Sequence, residues 1–465
     1  MARDVMRAVP ISIIGGGLAG SEAAWQLAER GHDVVVHEMR PVVKTAAHQT
    51  ETLAELVCSN TFKSTDTSNA HGLLKAEMRA LGSLILWAAD EARVPGGAAL
   101  AVDRVVFAGA VQSRLEAHPR IEIARGEIAT IPSPAVIATG PLTSDALATS
   151  LRARLGVDAL AFYDAIAPVI AYDSIDHDIV FKASRYGKGE TEAEREEGAY
   201  LNCPMSREQY ESFIDALVAG DKYQGHAFDQ APYFEGCLPV EEMAARGRET
   251  LRFGPLKPVG LRDPRTGRDA YAVVQLRQED RAGRMWNLVG FQTRLRIGDQ
   301  EKVFRSIPGL ANAEFLRHGS IHRNSYVNSP AALTPALTLR DDERVFLAGQ
   351  ITGVEGYTES SATGLLAGIN LSRVLGGAAP VIPPGTTMLG ALYRYLREAD
   401  PAHFQPMNAN FGLLDDLAKP ERDKRRKREL FAARALADIE SWKSEHSLNL
   451  HSTEAAAEAS AEAAR

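Results

Sequence analysis

Cysteine is scarce in this chain of 465 residues, which carries Cys58, Cys203 and Cys237 and no other. No two of them stand in CxxC spacing, so neither a disulfide framework nor a close redox pair is expected. The histidines are dispersed and form no Cys/His cluster, which leaves no metal site to expect. No run of eighteen apolar residues occurs, and no membrane span is expected. The opening stretch MARDVMRAVPISIIGGG has an apolar run, but glycines interrupt it and it leads straight into a helix pattern. A cytoplasmic protein is therefore expected rather than a secreted one. Internal repeats are also absent.

A surplus of positive charge is lacking too. The formal net charge is -8, which taken alone argues against a polyanionic partner. Its distribution says more. Residues 419–434 hold eight Lys/Arg against three acids, and residues 244–268 hold seven against two. An acidic chain with two basic segments can still meet a phosphate backbone locally. Arg425 and Arg426 lie in the first of these segments and are candidates for such contacts; the competing reading is a solvated helix face.

What the chain does have is a glycine-rich start. VPISIIGGGLAGSEAAWQLAERGHDVVVHE reads as a buried strand over 9–14, a helix over 21–30 stopped by Gly31, and a second strand over 33–37 ended by Glu38. Within it Gly15, Gly17 and Gly20 form GxGxxG, with Gly16, Leu18 and Ala19 between them. The first glycine allows a tight turn, the second lets a pyrophosphate approach the backbone, and the third lets helix and strand pack closely. The helix N-terminus then faces the phosphates. Glu38 follows Gly20 by eighteen residues and is placed for a ribose hydroxyl. Strand, turn, helix, strand and acid together give the motif the context it needs.

Further pieces of one nucleotide fold lie far downstream. SPAVIATGPL reads as a short strand ending at Thr139 and Gly140. ERVFLAGQITGVEGYTESSATGLLAGINLSRVLGG reads as a strand over 344–348, a glycine-rich turn from Gly349 and Gln350 to Gly356, and a helix over 359–375 with small residues on one face. A nicotinamide dinucleotide needs no such distant third element. FAD does, because its ADP half sits at the first turn and its flavin half elsewhere, so FAD is the expected cofactor. Tyr357 sits where a flavin ring would lie. It either stacks on that ring or ties the turn. Residues 165–320 alternate short β-rich runs with charged helix and read as an insertion. The domain expectation is thus 1–164 and 321–449 for the cofactor domain with C-terminal helices, 165–320 for the insertion, and a disordered tail over 450–465, low-complexity from 452.

Cys58 lies in ELVCSNTFKS, a polar setting unlike that of a packing cysteine. Cys237, in YFEGCLPVEE, follows a glycine and precedes a helix start. Cys203, in LNCPM, reads as strand core.

These motifs resemble the folate-dependent tRNA (uracil-5-)-methyltransferase family. The resemblance rests on AHQTETLAELVCSNTFKS, NAHGLLKAEMR, YLNCPMSREQY, YFEGCLPVEEMAARG, LRFGPLKPVGL, HRNSYVNSP and the glycine-rich element from Phe346, and runs over almost the whole chain. It implies an α/β fold with an FAD-binding Rossmann-type (glutathione-reductase-like) domain and an inserted α+β domain. It implies transfer of a methylene group from 5,10-methylenetetrahydrofolate to C5 of the T-loop uridine of tRNA. FADH2 reduces that group to methyl, and NADPH or NADH reduces the flavin again. The folate gives only carbon and leaves as tetrahydrofolate. The T-arm of tRNA is the implied partner.

Uracil C5 becomes a nucleophile once a thiolate adds at C6, and such a thiolate needs nearby positive charge or donors. Cys58 and Cys237 are the two catalytic candidates. We favour Cys237 for attack on uracil and place Cys58 near the flavin, although the sequence does not assign them. Lys63 is a candidate for the positive charge beside Cys58 if the loop folds back. His322, Arg323 and Asn324, in HRNSYVNS, are candidates near folate or flavin; the bland alternative is a polar hinge. Two other function classes compete: a disulfide reductase, for which the chain lacks the CxxC, and a flavin-containing tRNA-binding scaffold, which would need neither cysteine.

Overall fold

The structure, a computed structural model, describes residues 9–45, 47–156, 160–223 and 238–449, with the backbone alone over 160–166 and 321–324. Cys237 and the tail from 450 lie outside them. Five parallel strands form the main sheet in the order Val345–Leu347, Ala135–Ile137, Ile11–Ile14, Val34–Glu38, Ile121–Arg125. All three residues of Ala135–Ile137 and of Val345–Leu347 are buried. Because successive side chains point to opposite faces, this unbroken burial means the sheet is covered on both sides, the usual state of parallel sheets.

The first strand begins at Ile11, not at Val9, which is 72% exposed. The first helix, Leu18–Ala28, starts three residues earlier than the sequence suggests, because Gly17 already serves as its N-cap. All eleven of its residues are buried, including Ser21, Glu22 and Gln26. It lies against helix Tyr357–Leu375, and small residues set the distance. A Cβ on Gly364 would come within 2.2 Å of the Ala19 carbonyl oxygen, and one on Gly368 within 2.8 Å of that of Ala23. The small face expected on the late helix is thus the face on which the two nucleotide-fold helices touch.

Two further helix starts are capped by buried acids from elsewhere in the chain. Glu22 accepts hydrogen bonds from Ser83 Oγ, Leu84 N and Ile85 N at the start of helix Leu84–Glu91. Glu77 accepts from Met388 N at 2.7 Å and Leu389 N at 2.8 Å, at the start of helix Met388–Glu398. Each satisfies amides that a helix cannot pair internally.

A second sheet of six antiparallel strands runs Phe181–Lys182, Tyr200–Met205, Ala272–Gln278, Met285–Leu288, Val169–Ala171, Phe315–Arg317. Helix Arg207–Ala219 packs on it through Tyr210, Phe213, Ile214 and Leu217, the i, i+3, i+4, i+7 stripe of an amphipathic helix. A capping box between Ser206 and Gln209 opens that helix. Cys203 is fully buried in this core, and burial pushes its thiol up. It is a packing residue. The chain enters and leaves this half through a two-stranded ribbon, Leu160–Ile166 against Ser320–Tyr326.

Candidate functional site

A cleft of about 1070 Å³, counting its open mouth, lies at the ends of the parallel strands. The glycines after the first strand build one wall. Gly15 has φ +102°, and a Cβ there would meet the Ala138 carbonyl oxygen at 2.6 Å. A Cβ on Gly20 would meet the Gly15 oxygen at 1.9 Å, and one on Gly16 would meet Leu53 Cδ2 at 2.4 Å. These three glycines are required by packing. Gly17 is different: its backbone is extended (φ -73°, ψ -169°), and a Cβ would meet nothing within 4 Å. Neither conformation nor packing asks for glycine there. Gly17, Leu18 and Ala19 line the cleft, so the start of the first helix opens on it, with no side chain capping its amides. Such a helix start suits an anionic phosphate.

The strand ends complete the cleft. Thr139, Gly140 and Thr143 line it from the third element, with the Thr139 and Thr143 hydroxyls 2.6 Å apart. Gly349, Gln350, Tyr357 and Ser360 line it from the late glycine-rich element. Gly356 is not in the lining. Its φ of +115° turns the chain into helix Tyr357–Leu375, and a Cβ there would strike Glu359 Oε2 at 2.3 Å. The residues expected to share one cofactor thus meet in one cavity, except Gly16, Gly20 and Gly356, which shape its walls.

Glu38 lines the cleft, but both its oxygens are engaged. Gly16 N donates at 3.1 Å, and Arg40 donates through N, Nε and Nη2, each at 3.0 Å. Burial alone would raise its pKa; the Arg40 guanidinium and these donors hold it below the ordinary value instead. Arg40 also bonds Glu55 at 3.1 Å. Sequence reasoning missed Arg40, although it follows Glu38 by two residues.

The cysteine loop approaches the same cavity. Val57 and Tyr357 line the cleft, and Cys58 is the next residue, partly exposed. The Tyr357 hydroxyl accepts from Cys58 N at 2.7 Å and from Ser59 N at 3.2 Å. Tyr357 therefore ties the cysteine loop to the late helix while lining the cleft. Burial pushes its hydroxyl pKa up.

The Lys63 backbone adopts φ +63°, and its charge acts on Glu359 and Lys75. Glu359 is 1% exposed and accepts from His71 Nδ1 at 3.1 Å and Ala409 N at 2.9 Å. Burial would raise this acid; the His71 bond and the Lys63 charge bring it to about 2. Lys75 is fully buried, donates to the Phe62 and His71 carbonyls, and is lowered by burial to about 7. Arg104 and Arg317 act electrostatically with Cys58, and no local pattern pointed to them.

Other candidates lie apart. His322, Arg323 and Asn324 stand in the ribbon strand Ser320–Tyr326, and their side chains are outside the described residues. Arg425 and Arg426 project from helix Lys424–Glu445, are 88% and 61% exposed, and pair with Glu429; they are not in the cleft lining. Among the described residues no group of three or more His, Cys, Asp or Glu could hold a metal ion, and no helix is long and apolar enough to cross a membrane.

Residues 10–379 match the family model described as "Glucose inhibited division protein A". The chain is 56% identical over 434 residues to a protein of Geobacter sulfurreducens named methylenetetrahydrofolate–tRNA-(uracil-5-)-methyltransferase TrmFO, covering 93% of this chain and 98% of the relative. It is 54% identical to proteins of the same name from Desulforudis audaxviator, with 94% and 98% covered, and Moorella thermoacetica, with 93% and 98% covered. Among solved structures, Aquifex aeolicus GidA superposes with a TM-score of 0.67 at 16% identity, over 97% of this chain and 75% of that one, and shares its fold. The two glycine elements, the cysteine loop tied to Tyr357 and this identity over nearly the whole length converge: the chain belongs to the methylenetetrahydrofolate–tRNA-(uracil-5-)-methyltransferase family.

Proposed function

We propose that this chain transfers a methylene group from 5,10-methylenetetrahydrofolate to C5 of the T-loop uridine of tRNA and completes it to methyl. The observation that carries the reading is the 56% identity over 93% of the chain to a protein named for that reaction. The cleft supports it independently. Gly17 leaves open space in the cleft, next to a helix start with no side-chain cap among the described residues and suited to a pyrophosphate. Gly349, Gln350, Tyr357 and Ser360 offer the second half-site that a cofactor as long as FAD requires. When bound, FAD supplies the hydride that makes methylene into methyl, and NADPH or NADH restores the reduced state.

The chain's own groups do the rest. Arg40 neutralises Glu38 and holds it at the ADP end. Tyr357 fixes the Cys58 loop at the cavity's other end. Cys58 and Cys237 act as the two thiols of the reaction, one adding to uracil C6 and the other serving as acid, base or guard of the flavin; we assign the uracil to Cys237. The target base leaves its stack to reach the cavity. Phosphate contacts from the basic segments hold the tRNA, and such a substrate puts the reaction in the cytoplasm. The division into a cofactor domain over 1–164 and 321–449 and an insertion over 165–320 is supported by the separate cores around the parallel and antiparallel sheets.

The test is to assay Cys58→Ala and Cys237→Ala for transfer of folate methylene to tRNA. Loss in both supports the two-thiol reading, and full activity in both overturns it.

A further inference from the structure

LRFGPLKPVGL, residues 251–261, contributes no residue to the cleft lining. Leu251, Leu256 and Leu261 are buried and root the segment in the antiparallel half. The segment turns Phe253 out to solvent, 78% exposed, with Val259 half exposed and Lys257 exposed between them in sequence. Apolar side chains scattered singly on a surface need no account, but several on one short segment do.

Tyr186 joins them. Arg185 Nη1 donates to the Val259 carbonyl, and its Nη2 donates to the Lys257 carbonyl at 2.8 Å and to Gln275 Oε1 at 3.2 Å. Tyr186 N donates to the Gly260 carbonyl at 2.8 Å. The ring lies against Gly260, where a Cβ would come within 2.7 Å of Tyr186 Cε1. Tyr186 itself adopts φ 58° and ψ 27°, a left-handed conformation that a residue with a Cβ takes unwillingly. These bonds hold the turn in that conformation, and what it presents is a tyrosine 63% exposed.

The surface borders the cysteine loop. Gln275 and Arg277 stand two apart in strand Ala272–Gln278, so their side chains share a face about 7 Å apart. Gln275 holds Arg185, while Arg277 Nε donates to Asn60 Oδ1 at 2.8 Å, two residues beyond Cys58. The antiparallel half also grips that loop through Arg317, which donates to the Val57 carbonyl. The anchor of the exposed turn and an anchor of the cysteine loop are thus neighbours on one strand.

The charge here is suited to an anion. Lys188 and Lys257 are exposed and form no ion pair among the described residues. The two acids of 244–268 are already paired, Glu249 with Arg252 and Asp263 with Arg265, each at 2.9 Å. Beyond Gly189 the chain turns acidic, with Glu190, Glu192, Glu194, Glu196 and Glu197; Glu190 pairs with Arg93 and Glu197 with Lys182. The cationic side of the surface therefore ends there, and its centre is Lys257.

We propose that Tyr186, Phe253, Lys257 and Val259 form a docking surface for an unpaired loop of the RNA substrate: the rings stack on its bases and Lys257 meets a flanking phosphate. The inference rests on the tRNA reading and adds where and how the loop is held. Exposed rings beside a cation suit a ligand that offers flat bases and phosphates together. A second copy of this chain suits them less, because a two-fold contact would bring Lys257 and Arg185 of both copies together.

The experiment measures binding of the full-length, FAD-loaded chain to a labelled tRNA transcript over a salt series, beside an RNA duplex without a loop. Phe253→Ala should weaken tRNA binding by roughly tenfold with the salt slope unchanged, and Phe253→Tyr should stay near the parent. Tyr186→Gly removes the other ring while relieving the left-handed position; it should weaken binding by a similar factor, and it decides the matter if Phe253→Ala does not fold. Lys257→Met should lower the log–log salt slope by about one unit. Duplex binding should not respond to the loss of either ring. Parent-like tRNA affinity in both ring variants overturns the proposal, and so does an equal loss on the duplex. A change of oligomeric state in Phe253→Ala, read by light scattering, would assign the surface to a contact between copies and overturn it too. A parent chain that binds no tRNA overturns this inference together with the tRNA reading. A parent that binds tRNA and transfers no methyl counts against the methyltransferase reading alone and leaves the docking result standing.

Discussion

Tyr357 is where the two ends of the cavity are joined by a single atom. Its hydroxyl is the acceptor for the Cys58 and Ser59 amides, 299 and 298 residues away in sequence. Removing it leaves two loop amides to find water or stay unpaired. Tyr357→Phe should therefore cost about 1–3 kcal/mol in denaturant unfolding, and amide exchange should quicken specifically at Cys58 and Ser59. Unchanged exchange there would mean the loop is held without the phenol. Lys75 gives a second residue-level prediction. In the fold it titrates near 7, whereas its ordinary value is 10.5. Between those values the unfolded chain binds a proton that the folded one does not, so this lysine makes stability rise with pH across that window. Lys75→Met should flatten the rise measured by unfolding between pH 7 and 10; an unaltered slope would contradict the burial-driven shift. The cofactor-side residues were legible in sequence because a local motif carries them. Arg104 and Arg317 were not, because their purpose comes from contacts 46 and 260 residues distant.

At the level of elements, the glycines of the first turn divide into Gly15, Gly16 and Gly20, which packing needs, and Gly17, where a Cβ would meet nothing within 4 Å. Gly17→Val puts a side chain into open cleft on an extended backbone. It should fold with a thermal midpoint close to that of the parent, yet fail to take up FAD on reconstitution. Gly364→Val drives a side chain into the Ala19 backbone of the facing helix. It should destabilise by about 1–3 kcal/mol or more, whatever the cofactor does. A Gly17→Val protein that binds FAD normally would remove the first helix start from the cofactor site. The elements of the nucleotide fold were readable because their strands are short apolar runs and their two helices begin at Gly17 and Gly356. Their edges were not: Val9 looks like strand but finds no neighbour, and the first helix starts at Leu18 because Gly17 needs no side chain to end the turn.

Across the whole molecule, the acidic total hides a basic helix. Arg425 and Arg426 stand well exposed on Lys424–Glu445, away from the cleft lining. If they grip tRNA phosphates, Arg425→Glu with Arg426→Glu should weaken tRNA binding and flatten its salt dependence by about one unit of log–log slope per lost phosphate contact. Methyl transfer at saturating tRNA should survive. Equal binding and an equal salt slope would return that helix to the role of solvated face. The joining of distant segments into one cavity was foreseeable from the two glycine elements, whereas the grip of the antiparallel half on the cysteine loop was not.

The most direct test supplies the purified chain with FAD, NADPH, a tRNA transcript and 5,10-methylenetetrahydrofolate labelled at its methylene carbon, then digests the tRNA to nucleosides. The account predicts label in ribothymidine from the T-loop, dependent on folate and flavin. Unlabelled uridine at that position, or methylation that proceeds without the folate, would contradict it.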